Sequence, residues 1–236
     1  MKKLIVANWK MNPKTLKEAQ KLVLAVSKTK TQNTVVVCPP FVYLPVLKTK
    51  LILGSQDIFW QSSGPFTSQI SADMLKQFKV KYAITGHSER RALGETDNEV
   101  NLKVKAAIGN KIIPILCVGY GLSEAMGEEE VMEHLQNQLE AGLTNVDPKK
   151  VVVAYEPAWA ISNGDPYKTK AVENPDHAER ICMFIRIKFK VSKVLYGGSS
   201  DASNAESFLQ RQIDGLLVGG ASLRPDEFNK MITIKI

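Results

Sequence analysis

A single (β/α)8 barrel, eight parallel strands surrounded by helices, is the fold this sequence predicts, and three observations predict it. Eight short apolar runs recur along 236 residues. Most are too short to be helices and are rich in Val, Ile and Leu, as strands of a parallel sheet buried on both faces must be. Stretches with helical periodicity lie between them, and no Pro- or Ser-rich linker or low-complexity tract interrupts the alternation. Right-handed crossovers between parallel strands permit an open sheet or a closed barrel, and eight uninterrupted units favour closure. Residues 1–236 are therefore expected to form one domain.

The runs fall at 4–7, 34–38, 51–55, 82–85, 112–118, 151–155, 193–196 and 215–218. After the first, Leu16, Ala19, Leu22, Val23 and Val26 repeat at helical spacing; after the fourth, Val100, Val104 and Ala107 do the same. The reading is strand then helix, eight times. One connection is out of proportion. Residues 57–70, with Phe59, Trp60, Gly64, Pro65, Phe66 and Thr67, separate the third strand from its helix. Loops of that length in compact domains are usually functional or packed against something. Aromatics on a protruding loop predict a partner surface, most economically a homodimer, since leaving each in water forfeits about 1.5–3 kcal/mol.

Composition narrows the function classes. Hydrophobic residues are 44% and charged residues 23%, a globular balance with ample material for a core. The run 4–7 is cut off by Asn8 and Lys10, too short for a secretory signal, and the run around 112–118 is far below membrane-spanning length. No membrane association is expected. Cys38, Cys117 and Cys182 are odd in number with no CxxC spacing, which points to buried reduced thiols and a cytoplasmic location. The net charge of +7 favours anionic partners, a phosphorylated metabolite or a nucleic acid. The lysines are scattered along helices, with no basic run interleaved with aromatics, which argues against nucleic acid.

The chemistry-bearing residues sit at the ends of the apolar runs. Asn8 and Lys10 leave the first strand two residues apart, so they can point the same way. Lys10 there is either a surface cation or a group that stabilises an oxyanion. His87 follows the fourth run and opens the expected helical turn Ser88-Glu89-Arg90-Arg91, whose N–H groups favour a neutral ring able to donate to a carbonyl oxygen. Only His134 and His177 accompany it, in polar helical stretches, so no metal site is expected. Glu156 follows the sixth run and precedes Pro157, which ends the strand. A carboxylate at that rim is either half of an ion pair or, partly desolvated under Trp159 and Ile161, a base. From Ala158 to Pro166 the chain has a rigid start and the mobile-looking middle Ser162-Asn163-Gly164, a pattern suited to hinged closure. Gly197-Gly198-Ser199 and Gly219-Gly220-Ala221-Ser222 end the last two runs, where glycine lets backbone N–H groups approach a phosphate.

In order, Asn8-Trp9-Lys10-Met11-Asn12, Gly86-His87-Ser88-Glu89-Arg90-Arg91, Cys117-Val118-Gly119, Ala154-Tyr155-Glu156-Pro157, Tyr196-Gly197-Gly198-Ser199 and Leu217-Val218-Gly219-Gly220-Ala221-Ser222-Leu223 resemble the motifs of the triosephosphate isomerase family, and the likeness runs from end to end. That family is the standard example of a carboxylate base, a neutral imidazole and a closing lid on a TIM barrel, so these roles come with the resemblance. It implies interconversion of dihydroxyacetone phosphate and D-glyceraldehyde 3-phosphate through an enediolate, in glycolysis and gluconeogenesis, with no cofactor. It implies Glu156 as base, His87 and Lys10 as oxyanion stabilisers with Asn8 assisting, Glu89 holding Lys10, and Ser88 bordering the site. The phosphate would meet N–H groups of Ser162, Ser199, Gly219 and Gly220; Pro157, Ala158, Trp159, Ala160, Ile161, Asn163 and Gly164 would form the lid; Thr67 would reach a neighbour's Asn8, Lys10 and His87.

Several positions depart from the family pattern. The lid reads Ser162-Asn163-Gly164-Asp165-Pro166-Tyr167, Tyr120 follows Cys-Val-Gly in place of an acid, and Gln69 stands for a glutamate, so an arginine at the interface or behind the site is expected to lack its usual partner. Two rivals remain at this point: a Schiff-base aldolase using Lys10, which borohydride trapping would reveal, and a phosphoester-binding protein that has lost turnover.

Overall fold

The structure is a computed structural model that describes residues 2–161 and 173–236. Its strands are β1 (Leu4–Asn8), β2 (Thr34–Cys38), β3 (Ile52–Ser55), β4 (Tyr82–Thr85), β5 (Ile113–Val118), β6 (Val152–Tyr155), β7 (Lys193–Tyr196) and β8 (Gly215–Val218). Each pairs in parallel with the next, and β8 pairs with β1, so the sheet closes with no free edge. Side chains alternate across this wall as strand periodicity demands: Leu4 and Val6 join Val36, Ile84, Ile115 and Leu195 in one cluster, while Ile5 and Ala7 pack with residues of the surrounding helices in another.

The helices are α1 (Leu16–Ser27), α2 (Ala72–Gln77), α3 (Ser88–Ala92), α4 (Asp97–Gly109), α5 (Glu128–Gly142), α6 (Pro175–Phe189), α7 (Ala205–Leu209) and α8 (Pro225–Thr233). Local chemistry starts several of them. Thr15 and Thr96 each accept from the N–H three residues on, and Glu18 and Glu99 reach back to the threonine N–H, reciprocal caps that satisfy two otherwise orphaned donors. The expected apolar stripes are buried, Ala19, Leu22, Val23 and Val26 on α1 and Val100, Val104 and Ala107 on α4; Leu16 is exposed.

One crossover departs from the strand-helix repeat. Between β2 and β3 there is no α-helix, only the 3-10 turn Phe41–Tyr43, while β4 is followed by both α3 and α4. The cause is proline: Pro39 and Pro40 open the segment and Pro45 stands one turn later, where it has no N–H to continue a helix.

The long loop 57–70 also differs in part from expectation. Phe59 N–H donates to the Ile70 carbonyl, closing the loop's base, and the Phe59 ring lies 4.0 Å from Trp60 and 5.0 Å from Phe66. The aromatics partly cover one another, with Phe59 buried, and the exposed stretch is 61–69 including Thr67. Arg90 pairs with Asp57 and Glu95, and Arg91 with Asp97 at 2.6 Å and with the Gly86 carbonyl.

Candidate active site

All the chemistry-bearing strand ends open on the same rim of the barrel, because parallel strands carry their C-termini to one face. A cavity of about 210 Å³ lies there, lined by Asn8, Lys10, His87, Glu89, Gly219, Gly220 and neighbours. Lys10 leaves β1 with φ 52°, its N–H donating to the Asn8 side chain at 3.0 Å and its carbonyl accepting from Gln56 at 2.8 Å. These bonds hold a left-handed turn that a non-glycine residue rarely adopts. The ammonium sits 2.6 Å from a Glu89 carboxylate oxygen, which fixes its direction over the cavity.

His87 is the N-cap of α3, and its Nδ1 accepts the Glu89 N–H at 3.2 Å. A nitrogen that accepts carries no proton, so the proton of this tautomer is on Nε2, the nitrogen 3.4 Å from Glu156 Oε1. The Glu156 Oε2 accepts the Ser88 N–H at 3.1 Å, from the first turn of the same helix. Glu156 is only 1% exposed, and its Oε1 has no hydrogen-bond partner among the described residues. It lies behind the cavity wall, not on its surface, which is deeper than a rim position under a lid implies. Two glycines make room for it. A Cβ on Gly119 would stand 2.3 Å from the Glu156 carbonyl oxygen, and one on Gly197 would stand 2.9 Å from Glu156 Cγ.

Cys117 sits beside this carboxylate, and burial first, then the Glu156 charge and a hydrogen bond to it, push its thiol well up. Burial likewise pushes the Cys38 and Cys182 thiols up, so all three remain protonated and free. Among the described residues no group of three His, Cys, Asp or Glu could hold a metal.

On the side of β8, Gly219 and Gly220 line the cavity, and Gly220 opens the 3-10 turn Gly220–Leu223, whose first N–H groups find no carbonyl within the turn. Ser199 lines it too, but its N–H donates to the Ala160 carbonyl at 2.6 Å. In this arrangement the Ser199 donor is occupied, and an anion in the cavity could use it only if the segment 158–161 moved. Pro157 leads into the turn Ala158–Ala160; Ala160 and Ile161 line the cavity, and Trp159 is half-buried. Ser162, Asn163 and Gly164 lie outside the described residues. Thr67 is exposed on its loop and does not line this cavity.

Sequence reasoning missed the Ser88 main-chain bond to Glu156 and the presence of Asp201 and Arg224 at the cavity. Arg224 had a signal, a cation directly after the last glycine-rich turn and before Pro225.

Fold and site together define a class: an α/β-barrel enzyme with a buried carboxylate, an imidazole, an ammonium and glycine-rich turns gathered at one mouth. The triosephosphate isomerase family description matches residues 3–235. The chain is 42% identical over 246 residues to the triosephosphate isomerase of Trichodesmium erythraeum, covering 98% of this chain and 99% of that protein. It is 41% identical to that of Gloeothece citriformis over the whole of both chains, and 42% identical to that of Mycoplasmopsis pulmonis, with 99% and 98% covered. This chain belongs to the triosephosphate isomerase family.

The crowding at Gly197 gives an expected result. Gly197→Ala displaces Glu156 Cγ, and a misplacement on the order of 1 Å can cost about 100-fold, so turnover is expected to fall roughly 10- to 100-fold. Steady-state kinetics beside a thermal melt would check it; unchanged turnover in a folded variant would contradict the fit described for Glu156.

Proposed function

We propose that this protein interconverts dihydroxyacetone phosphate and D-glyceraldehyde 3-phosphate by proton transfer through an enediolate, in glycolysis and gluconeogenesis, as a cytoplasmic homodimer acting without metal or organic cofactor. The observation that carries the reading is the buried carboxylate of Glu156, one oxygen held by the Ser88 N–H and the other facing His87 Nε2 at 3.4 Å with no hydrogen bond among the described residues. A carboxylate this deeply buried is costly, and the oxygen that accepts no hydrogen bond among the described residues is the one placed to take a proton from a substrate C–H.

In the proposed reaction Glu156 leaves the Ser88 N–H, moves into the cavity, and removes a proton from the carbon beside the carbonyl. The developing negative oxygen meets the Nε2–H of His87 and the ammonium of Lys10, groups already fixed by α3 and by Glu89, so little reorganisation is needed as charge appears. Asn8 keeps the Lys10 turn in shape. Glu156 then returns the proton to the adjacent carbon. Gly219 and Gly220, with Ser199 and Ser162, present N–H groups to the phosphate, and the segment 157–164 closes over the site to exclude water. The ion-paired ammonium of Lys10 has no lone pair for attack on a carbonyl, which weighs against the aldolase reading.

The homodimer is supported by a second hollow of about 320 Å³ beside the site, lined by Met11, Gln69 and Leu93 with Asn8, Lys10 and His87. Met11 and Leu93 are strongly exposed in the single chain, and the partner's Thr67 loop has the length to enter. The cytoplasmic assignment rests on three buried, unpaired thiols.

A coupled assay tests the reading. Purified protein is expected to isomerise either triose phosphate at full rate in the presence of a chelator. Lys10→Ala is expected to lower kcat/KM by about 1,000-fold, since it removes the ammonium that faces the developing oxyanion. An inactive wild-type protein, or full activity in Lys10→Ala, would overturn it.

A further inference from the structure

The β2–β3 crossover is the only one without an α-helix among the described residues, and where a helix would lie the barrel carries a groove of about 520 Å³. Its floor is apolar, with Leu44, Leu47, Leu51, Leu53 and Phe78. The strand beneath is laid open: Ile52 and Leu53 of β3 are both half-buried, while every other strand has at most one residue that is not buried. Phe78 and Val46 expose large apolar surface beside it. The lining holds three lysines, Lys48, Lys79 and Lys81, and no carboxylate, and no Asp or Glu occurs anywhere in 41–53 or 76–81.

We infer that this groove is a docking site for an acidic amphipathic helix of a partner protein, seated in the vacant helical position of the barrel. A helix, a cylinder about 10 Å across, packs an apolar stripe on a sheet, and the apolar floor over β3 offers a seat for such a stripe. An extended segment has nothing to pair with, because all eight strands are hydrogen-bonded on both sides. The lysines supply the complement to flanking Glu or Asp on the incoming helix and set its sign. A second copy of this chain does not offer such a helix: α5 has the acidic first turn Glu128, Glu129 and Glu130, but its apolar residues Val131, Leu135 and Leu139 are buried in its own barrel.

The test uses the full chain and a fluorescein-labelled helical peptide of about four turns, with Leu at i, i+3, i+4 and i+7 and Glu on the flanks. A second peptide carries Lys in place of each Glu. Fluorescence anisotropy is expected to show saturable binding of the acidic peptide only. Lys48→Glu/Lys79→Glu/Lys81→Glu is expected to weaken it at least about tenfold, given what like-charge juxtaposition costs. Isomerase turnover should be unchanged, since none of the three lysines lines the catalytic mouth, and this also reports that the variant folds. Equal binding of both peptides, no binding of either, or indifference to charge reversal would overturn the proposal. So would phosphatidylserine vesicles that bind without the peptide doing so, or self-association in the ultracentrifuge that disappears on charge reversal.

Discussion

Glu156→Gln is expected to lower kcat by roughly 1,000-fold or more while KM changes only a few-fold, at the upper part of the range for a general base. Gln has the shape of Glu, and its amide oxygen can still accept the Ser88 N–H that holds Oε2. What it cannot do is take a proton. The buried position removes the usual substitute, because water cannot easily stand in for a base at a site only 1% exposed. The comparison with Gly197→Ala is informative. There the base is present but displaced, so the loss should be smaller and should recover in part if Glu156 regains its position. A coupled assay at saturating substrate measures both; a Glu156→Gln variant within tenfold of the wild type would remove Glu156 from the proton path.

The second large effect concerns the barrel seam. Gly215→Ala is expected to destabilise the protein by at least about 3 kcal/mol, the upper end of ordinary overpacking costs. A Cβ built on Gly215 stands 1.8 Å from the Leu4 carbonyl oxygen and 2.6 Å from the Leu4 carbonyl carbon. These are backbone atoms of the adjacent strand, in the pair Leu4↔Gly215 that joins β8 to β1 and closes the ring. No rotamer change can relieve the clash; the seam itself must open. For a chain of this size the loss corresponds to a drop in Tm on the order of 10 °C. Gly109→Ala, at the end of α4 with no atom within 4 Å of the added carbon, is the control and should be neutral or slightly stabilising. Calorimetry or far-UV circular dichroism of both variants decides the matter, and equal melting points would contradict the seam argument.

These two residues also mark where sequence was informative. The runs at 34–38, 82–85, 193–196 and 215–218 have the same limits as β2, β4, β7 and β8, and the other four differ by one residue at one end. Doubly buried parallel strands write themselves as uninterrupted apolar runs, which is why. The missing β2–β3 helix was misread because the strand-helix rhythm was extended through a segment whose own prolines forbid it.

The candidate site followed from topology: once the sheet is parallel and closed, Lys10, His87 and Glu156 must share a rim, since each follows an apolar run. The clamp on Glu156 was not legible, because its donor is the Ser88 main chain and an N–H has no sequence signature. Nor was the Ser199 bond to Ala160, which depends on where the lid's first residues rest. The self-packing of Phe59 against Trp60 and Phe66 was hidden for a related reason: a list of aromatics in a loop does not say whether they face a partner or each other.

Isomerisation of D-glyceraldehyde 3-phosphate in D2O tests the central claim most directly, that a single carboxylate moves a proton through an enediolate at this mouth. Solvent deuterium is expected on the carbon that receives the proton, to the extent that the proton held by Glu156 exchanges before its return, and Glu156→Gln is expected to form product at a rate lower by the factor given above. Product formed by Glu156→Gln at the wild-type rate, with the same deuterium content, would mean that another group carries the proton and would contradict the claim.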